Sequence, residues 1–532
     1  MSDAVSFASA EALGVPEAFN AASHFVDRHL TDGRGDRVAI ECGDERVTYA
    51  QLSARVSQFG RALRDRLGVR AEERVALLLL DDPHFFYAFF GAIKAGAVAV
   101  PVNTLWTPAD YEYVLGDCRA RVVVVREELA PRLAAIPADR RRGLEHVVLA
   151  GGEGASVPAL DGSARVWRWS DLVSEVSADL EAAATSRDDA AFWLYSSGST
   201  GRPKGCVHLH HDMVVCAELF AKGVLGARES DRFFSVPKLF FAYGLGNAGY
   251  FPLAVGGTSI LWPGPPTAAN VYALIERHRP TIFFFVPTGY AMLLAQEGDF
   301  DLSSVRLASS AGEALPAALY ERFKLRFGAD ILDGIGSSEV LHTFISNRPG
   351  AIRPGSSGLV VPGYDAKLVD ESDAPVPRGE AGNLWVAGDS ICAGYWNQHE
   401  KTKDTIQGHW IRTGDKYTQD ADGYYWYAGR SDDMLKVGGL WVSPIEVEHA
   451  LVQHAAVLEC AVVGREDQDT LVKPAAFVVV RSGHEPTPAL ADELKQHVRA
   501  RLAEYKRPRW IEFVTALPKT TTGKIQRYKL RQ

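Results

Sequence analysis

Residues 74–102 read RVALLLLDDPHFFYAFFGAIKAGAVAVPV, the most apolar segment of the chain. Asp81, Asp82, His84 and Lys94 interrupt it, so no run reaches the roughly 18 apolar residues that a membrane span needs. Its parts divide naturally. VALLLL (75–80) and AVAVPV (97–102) are continuous apolar runs of strand length, and FFYAFFGAIKAG between them suits a helix. An apolar strand, a crossover helix and a second apolar strand form the unit of a parallel sheet covered on both faces.

The same alternation continues outward. A helical stretch at 108–117 precedes RVVVV (121–125), and VYALIERHRP leads into TIFFFVP (281–287). The pattern predicts α/β architecture through most of the first 350 residues. From about 355 the texture changes to short strands and turns (GYDAKLV, GNLWVAG, HWIRTGD, GYYWYAGR), which predicts a β-rich subdomain. After Arg430 comes a hairpin, then a helix from Ser443 with Pro444 at its first position. Strands CAVVG, AAFVVV and WIEFV, with a helix at 489–503, complete a small α+β unit. The expected domains are 1–431 and 432–532.

With 532 residues the chain needs more than one core. It is 47% hydrophobic and 23% charged, as in soluble globular proteins. A net charge of −9 argues against a nucleic-acid partner. Six scattered cysteines without a C-x-x-C pair suit a reducing compartment. MSDAVSFASAEALG lacks the basic start and apolar core of a signal peptide. A cytoplasmic protein without a membrane partner is expected.

YSSGSTGRPKG (195–205) is a poor helix and a poor strand interior. It fails the Walker A pattern, because Pro203 stands where glycine is required and Gly205 where Ser or Thr is required. Its glycines, hydroxyls and Lys204 still suit a phosphate. Composition alone leaves a Gly/Ser surface turn equally open.

Four further segments settle which reading to carry forward. Together with the loop, DGIGSSE (333–339), RTGD (412–415), GRSDDMLKVGG (429–439) and PKTTTGKIQR (518–527) resemble, in order, the core motifs of the acyl-adenylate-forming superfamily. That superfamily comprises acyl-CoA synthetases, luciferases and peptide-synthetase adenylation domains. The resemblance implies a large N-terminal region of several subdomains and a small mobile C-terminal domain hinged at Asp432. It implies ATP, Mg²⁺ and CoA as cofactor and co-substrates. Ser196, Ser197, Gly198, Ser199, Thr200, Gly201, Lys204 and Ser338 would bind phosphates, with Glu339 and Thr200 at the metal. Gly312, Glu313, Ala314, Asp333, Gly334 and Ile335 would flank the adenine, and Asp415 and Arg430 the ribose. Lys524 would serve adenylation. Lys436 would lie on the face used for thioester formation, with Gly438 and Gly439 beside the pantetheine arm and Arg507 at the CoA phosphate. Read without the resemblance, Gly438 and Gly439 are a hairpin turn and Arg507 is part of a solvated face.

VPKLFFAYGLGN (236–247) occupies the position of the superfamily's acid pocket. It has no acidic residue from Pro237 to Asn247 to pair with an ammonium, which argues against an amino-acid substrate. Phe241, Ala242, Tyr243, Gly244 and Gly336 suggest a small, flat, mostly apolar pocket. KLFFAYGLGN, SSAGEALP (309–316) and GIGSSEVLH (334–342) together resemble the bacterial benzoate–CoA ligase branch. By that resemblance His342 would lie near the aryl ring or the carboxylate, a hydrogen-bonded structural histidine being equally open. His208, His210 and His211 read as structural residues at a helix start. The expectation is ATP-dependent ligation of benzoate, or of a hydroxy-, amino- or cyclic relative, to CoA. Loading of a carrier protein is the alternative. The partners would be small molecules, with a homodimer left open.

Overall fold

The computed structural model describes residues 7–141, 143–151, 162, 164–197, 202–430, 433–437, 440–468, 472–502, 504–519 and 525–531. Contacts divide the chain into two compact units. One comprises residues 1–354, 358–365 and 386–411; the other comprises 355–357, 366–385 and 412–532. The 431/432 boundary expected from the sequence falls at residues outside the described set.

Two sheets form the first unit. The opening stretch becomes the strand Arg74–Leu78, the helix Pro83–Lys94 and the strand Val98–Pro101, with the two strands adjacent and parallel. The Asp82 carboxylate accepts the His84 N–H and starts the helix, with Pro83 at its first position. Nearly every residue of that helix is buried, which explains an apolar pattern without a polar face. The eight-stranded sheet then runs Gly394–Tyr395, Pro203–Leu209, Ala190–Ser197, Val98–Pro101, Arg74–Leu78, Val122–Arg126, His146–Ala150 and Arg165–Arg168. It is parallel except for the pairings of Pro203–Leu209 with its two neighbours. Val100, Val123, Val125, Val147 and Tyr111 are among its core residues.

The second sheet has nine strands, with Leu307–Ser310, Ile282–Phe285, Arg232–Ser235 and Thr258–Leu261 as its parallel centre. Ile331–Gly336 joins it in parallel beside Leu307–Ser310, and Thr343–Ser346 pairs with it antiparallel. Between those last two strands the chain turns through residues 337–342, so the acidic motif sits at a strand end. Loops at strand ends of such sheets are where ligands gather.

The other unit contains the expected short strands, including the antiparallel pair Trp410–Gln419 and Tyr425–Arg430. Beyond them, Val457–Glu466, Val472–Val480 and Trp510–Phe513 form a three-stranded sheet. The helices Pro444–Val452 and Pro488–Arg499 contribute Val447, Leu451, Leu494 and Val498 to the core on one face. Ser443 caps the first of these helices by accepting the Glu446 N–H. Among the described residues no helix is long and apolar enough to cross a membrane.

Candidate active site

The described residues on either side of the phosphate-loop stretch belong to two paired strands. Ala190–Ser197 pairs antiparallel with Pro203–Leu209, with Ser196 opposite Lys204 and Ser197 opposite Pro203. Gly198, Ser199, Thr200 and Gly201 lie outside the described residues, as does the side chain of Ser197. The paired strands bring Ser196 to Glu339 and Lys204 to Tyr395. The Ser196 hydroxyl donates to Glu339 Oε1 at 3.4 Å, and Lys204 Nζ lies 4.3 Å from the centroid of the Tyr395 ring. Tyr395 closes the set, its hydroxyl donating to Glu339 Oε1 at 2.8 Å.

The turn that carries Glu339 is held at many points. Cys392 N–H donates to the Glu339 carbonyl at 2.7 Å. Ser390 Oγ donates to the Val340 carbonyl at 2.8 Å. The fully buried His208 ring lies between the Asp212 carboxylate (Nδ1 to Oδ2, 2.7 Å) and the Ser338 carbonyl (Nε2 to O, 2.7 Å). Leu341, fully buried, sits at φ +69°, a left-handed conformation that persists only where the surroundings over-determine it. Gly336 admits no side chain, since a Cβ there would lie 2.6 Å from the His342 carbonyl oxygen. His210 and His211 are buried as well, His210 Nδ1 accepting the Ala21 N–H at 3.1 Å.

Both hydrogen bonds to the Glu339 carboxylate fall on Oε1, and among the described residues Oε2 has no donor. The described residues contain no cluster of three His, Cys, Asp or Glu that would enclose a metal. One carboxylate with an oxygen to spare fits Mg²⁺, which takes one or two protein carboxylates and completes its shell with phosphates and water.

Asp333 ends the parallel part of Ile331–Gly336, in register with Ser310. It is 3% exposed. Its Oδ2 accepts the Leu315 N–H at 3.3 Å, while among the described residues Oδ1 has no close donor. Burial pushes the carboxyl up to about 8, so it holds a proton at neutral pH. Gly312, Glu313 and Ala314 lie in the loop between Leu307–Ser310 and the helix Ala317–Phe327, Gly312 at φ +90°. Gly334 and Ile335 pair with Ser346 and Ile345.

Phe241 precedes a helical turn, Ala242–Gly244, that runs on into Leu245–Tyr250. The Tyr243 hydroxyl donates to Ser309 Oγ at 3.2 Å. His342 is 2% exposed. Its Nε2–H donates to Asn247 Oδ1 at 3.1 Å and points at the Tyr243 carbonyl at 3.3 Å. Among the described residues Nδ1 has no partner, and burial pulls the imidazole down to about 3, so it is neutral. Phe220, Tyr243 and Phe251 surround the ring at centroid distances of 5.2, 5.4 and 4.5 Å. Asp81, at the end of the opening strand, anchors this segment by accepting the Leu239 N–H at 3.1 Å.

In the other unit, Asp415 and Arg430 face each other across the antiparallel pair, Arg430 Nη1 lying 3.1 Å from Asp415 Oδ1. Lys436 lies in Leu435–Val437 opposite Trp441, its side chain outside the described set. Asp432, Gly438, Gly439 and Lys524 also lie outside it. Arg507 lines a cavity of about 280 Å³ with Lys473, Tyr505 and Arg509 and pairs with Glu504 at 3.0 Å.

Tyr395, His208 and Asp81 were not singled out as site residues by sequence reasoning. Tyr395 stands in the short, ordinary string AGYW with no spacing that marks it. Asp81 carried a signal, an aspartate within an apolar run just before a helix.

The parallel α/β sheets carry Ser196, Lys204, Tyr395 and Glu339 at strand ends, the place where α/β enzymes gather their ligands. The comparisons with known proteins make this specific. The profile of the AMP-binding enzyme family matches residues 27–396, and that of the AMP-binding enzyme C-terminal domain matches 446–524. The chain belongs to the AMP-binding enzyme family. It is 51% identical to the benzoate–CoA ligase of Thauera aromatica, over 98% of this chain and 97% of that one. Identity to the 4-hydroxybenzoate–CoA/benzoate–CoA ligase of Rhodopseudomonas palustris is 45%, over 97% and 94%. Among solved structures, the benzoate CoA ligase from Burkholderia xenovorans LB400 superimposes with TM-score 0.87 at 46% identity, over 97% and 100% of the two chains. The anthranilate CoA ligase AuaEII in complex with anthranoyl-AMP gives TM-score 0.90 at 48% identity, over 97% and 98%.

Proposed function

We propose that the protein is an AMP-forming aryl-CoA ligase and that benzoate is its leading substrate. The observation that carries this is near-full-length identity of 51% and 45% to two enzymes named as benzoate–CoA ligases. In the first half-reaction a carboxylate oxygen of the acid attacks the α-phosphorus of ATP. The bond to the bridging oxygen breaks, and pyrophosphate leaves with its electron pair. In the second, the CoA sulfur attacks the acyl carbon of the aryl-adenylate, AMP leaves, and the thiol proton passes to solvent.

The obstacle in the first step is charge, because an anion must approach a polyanion. Lys204 would neutralise the departing phosphates, and Lys524 the reacting carboxylate and α-phosphate. Glu339, through Oε2, would hold Mg²⁺, which supplies positive charge to the phosphate oxygens when bound. Asp333 would face the adenine, and Asp415 with Arg430 the ribose hydroxyls. The neutral His342 and its aromatic neighbours suit an uncharged ring. The absence of an acidic residue from Pro237 to Asn247 argues against an ammonium-bearing amino-acid substrate.

The second half-reaction would use the C-terminal region from 432, turning about Asp432 to present Lys436, Gly438 and Gly439. The cavity lined by Lys473, Tyr505, Arg507 and Arg509 suits the phosphates and base of CoA. A cytoplasmic enzyme, monomeric or homodimeric, with no nucleic-acid or membrane partner fits this reading.

A panel of benzoate, hydroxy- and aminobenzoates and cyclic carboxylates, scored by pyrophosphate release and CoA-thioester formation, tests it. Benzoate should rank first. Absence of acid-dependent AMP formation across the panel rejects the ligase reading. Lys524→Ala should nearly abolish adenylation yet form thioester from supplied benzoyl-AMP; equal loss of both steps rejects the division between two faces.

A further inference from the structure

Lys204 and Glu339 carry opposite charges, and among the described residues no ion pair involves either. Both approach the same aromatic side chain, so that a direct pair between them is the arrangement this residue would pre-empt. Tyr395 is 6% exposed. Its ring lies 4.3 Å from Lys204 Nζ, and its hydroxyl donates to Glu339 Oε1 at 2.8 Å.

The ring is itself fixed. Tyr395 is in register with Cys206, two residues beyond Lys204 on the same strand, so ring and ammonium are placed by one pairing. Cys392, three residues before Tyr395, donates its N–H to the Glu339 carbonyl at 2.7 Å. A single stretch, 392–395, therefore grips Glu339 by both backbone and carboxylate.

The geometry points to Tyr395 as a positioning residue that holds Lys204 and Glu339 apart, the ammonium free for nucleotide phosphate and Glu339 Oε2 free for a divalent cation. This rests on the nucleotide reading of the site given above. The ring face attracts the ammonium without neutralising it. The hydroxyl occupies one carboxylate oxygen and so orients the other. Without the ring, Lys204 and Glu339 are free to collapse into an ion pair, and each then loses affinity for its ligand.

Two variants of the full-length protein separate these roles. Tyr395→Phe keeps the ring and removes the hydroxyl; Tyr395→Leu removes both. Titration calorimetry of ATP with and without Mg²⁺ reads the effect without turnover. In Tyr395→Phe the gain in ATP affinity conferred by Mg²⁺ should shrink about tenfold, the worth of one hydrogen bond to a charged group. ATP affinity without Mg²⁺ and the KM for benzoate should stay at wild-type values. In Tyr395→Leu the metal-free ATP affinity should fall too, and Glu339→Gln in that background should restore part of it by removing the competing charge. A Tyr395→Phe protein with the wild-type Mg²⁺ gain overturns the proposal. So does one whose affinities for ATP and benzoate fall together, which marks a merely structural tyrosine. If Tyr395→Leu does not fold, Tyr395→Phe alone decides. Failure of the wild-type protein to bind ATP at all rejects the nucleotide reading itself.

Discussion

Asp333→Asn isolates one buried proton, and its effect can be worked out from the site. The Asp333 side chain is almost wholly enclosed; Leu315 N–H donates to Oδ2 at 3.3 Å, Ser310 and the Gly334 backbone oppose the desolvation only weakly, and Oδ1 has no close donor among the described residues. No cation is among the groups that perturb it, so desolvation dominates and lifts the carboxyl from its ordinary 3.8 to about 8. A carboxyl raised on folding favours the folded state most below its unfolded value, and that contribution is lost as pH climbs to its folded value. Over that window the unfolded chain has released a proton that the folded protein retains. One retained proton costs about 1.4 kcal/mol of stability per pH unit, so about 4 kcal/mol disappears between pH 5 and pH 8. Asparagine cannot ionise and still offers an oxygen to Leu315 N–H. Urea unfolding of both proteins, followed by tryptophan fluorescence at pH 5 to 9, should show wild type losing ground steadily to the variant until about pH 8 and then levelling. Other titrating groups are common to both proteins and cancel in the difference. Parallel stability curves across this range would refute an un-ionised Asp333.

Other perturbations probe neighbouring parts of the site. In Gly246→Ala the new Cβ would lie 2.3 Å from His342 Cδ2 and 2.6 Å from Nε2. The imidazole must move off Asn247, which should cost about 1–3 kcal/mol in stability and raise the KM for the aryl acid but not for ATP. Asp81, pushed up to about 6 by burial, holds Leu239 N–H and lies 3.8 Å from Lys238 Nζ. Its charge is lost as pH falls through that value, so the wild-type KM for the aryl acid should rise below pH 6. Asp81→Asn should be raised throughout and insensitive to pH; a variant that keeps the wild-type pH profile removes Asp81 from the explanation. Replacing Arg507 and Arg509 together by alanine should raise the KM for CoA about tenfold, each lost phosphate contact being worth around 1 kcal/mol or more, and leave pyrophosphate release unchanged. Arg507→Ala alone should do less, since Glu504 already engages that guanidinium.

Much of the fold was legible because local patterns carry their own periodicity. The run 74–102 became strand, helix and strand, and the helix at 108–117 and the cap at Ser443 appear as expected. Each depends on side chains a few residues apart, where sequence neighbours are also spatial neighbours. The motifs themselves pointed to Lys204, Glu339, Asp333, Asp415 and Arg430, and family membership followed from their order.

What the sequence could not determine is which groups meet. Glu339 and Tyr395 are 56 residues apart, and Ser338 and His208 are 130 apart. Their contacts exist because Gly394–Tyr395 adds to the edge of one sheet beside Pro203–Leu209, an antiparallel pairing set by non-local hydrogen bonds. Nothing in AGYW encodes that partner. The unpartnered oxygen of Asp333 and the bare Nδ1 of His342 are likewise products of burial, a property of the assembled core and not of any local string. The sequence by itself determined the strands, helices and chemical groups available to the site. Only the tertiary structure decided that one tyrosine touches both Lys204 and Glu339, because that meeting depends on the order in which distant strands join the sheet.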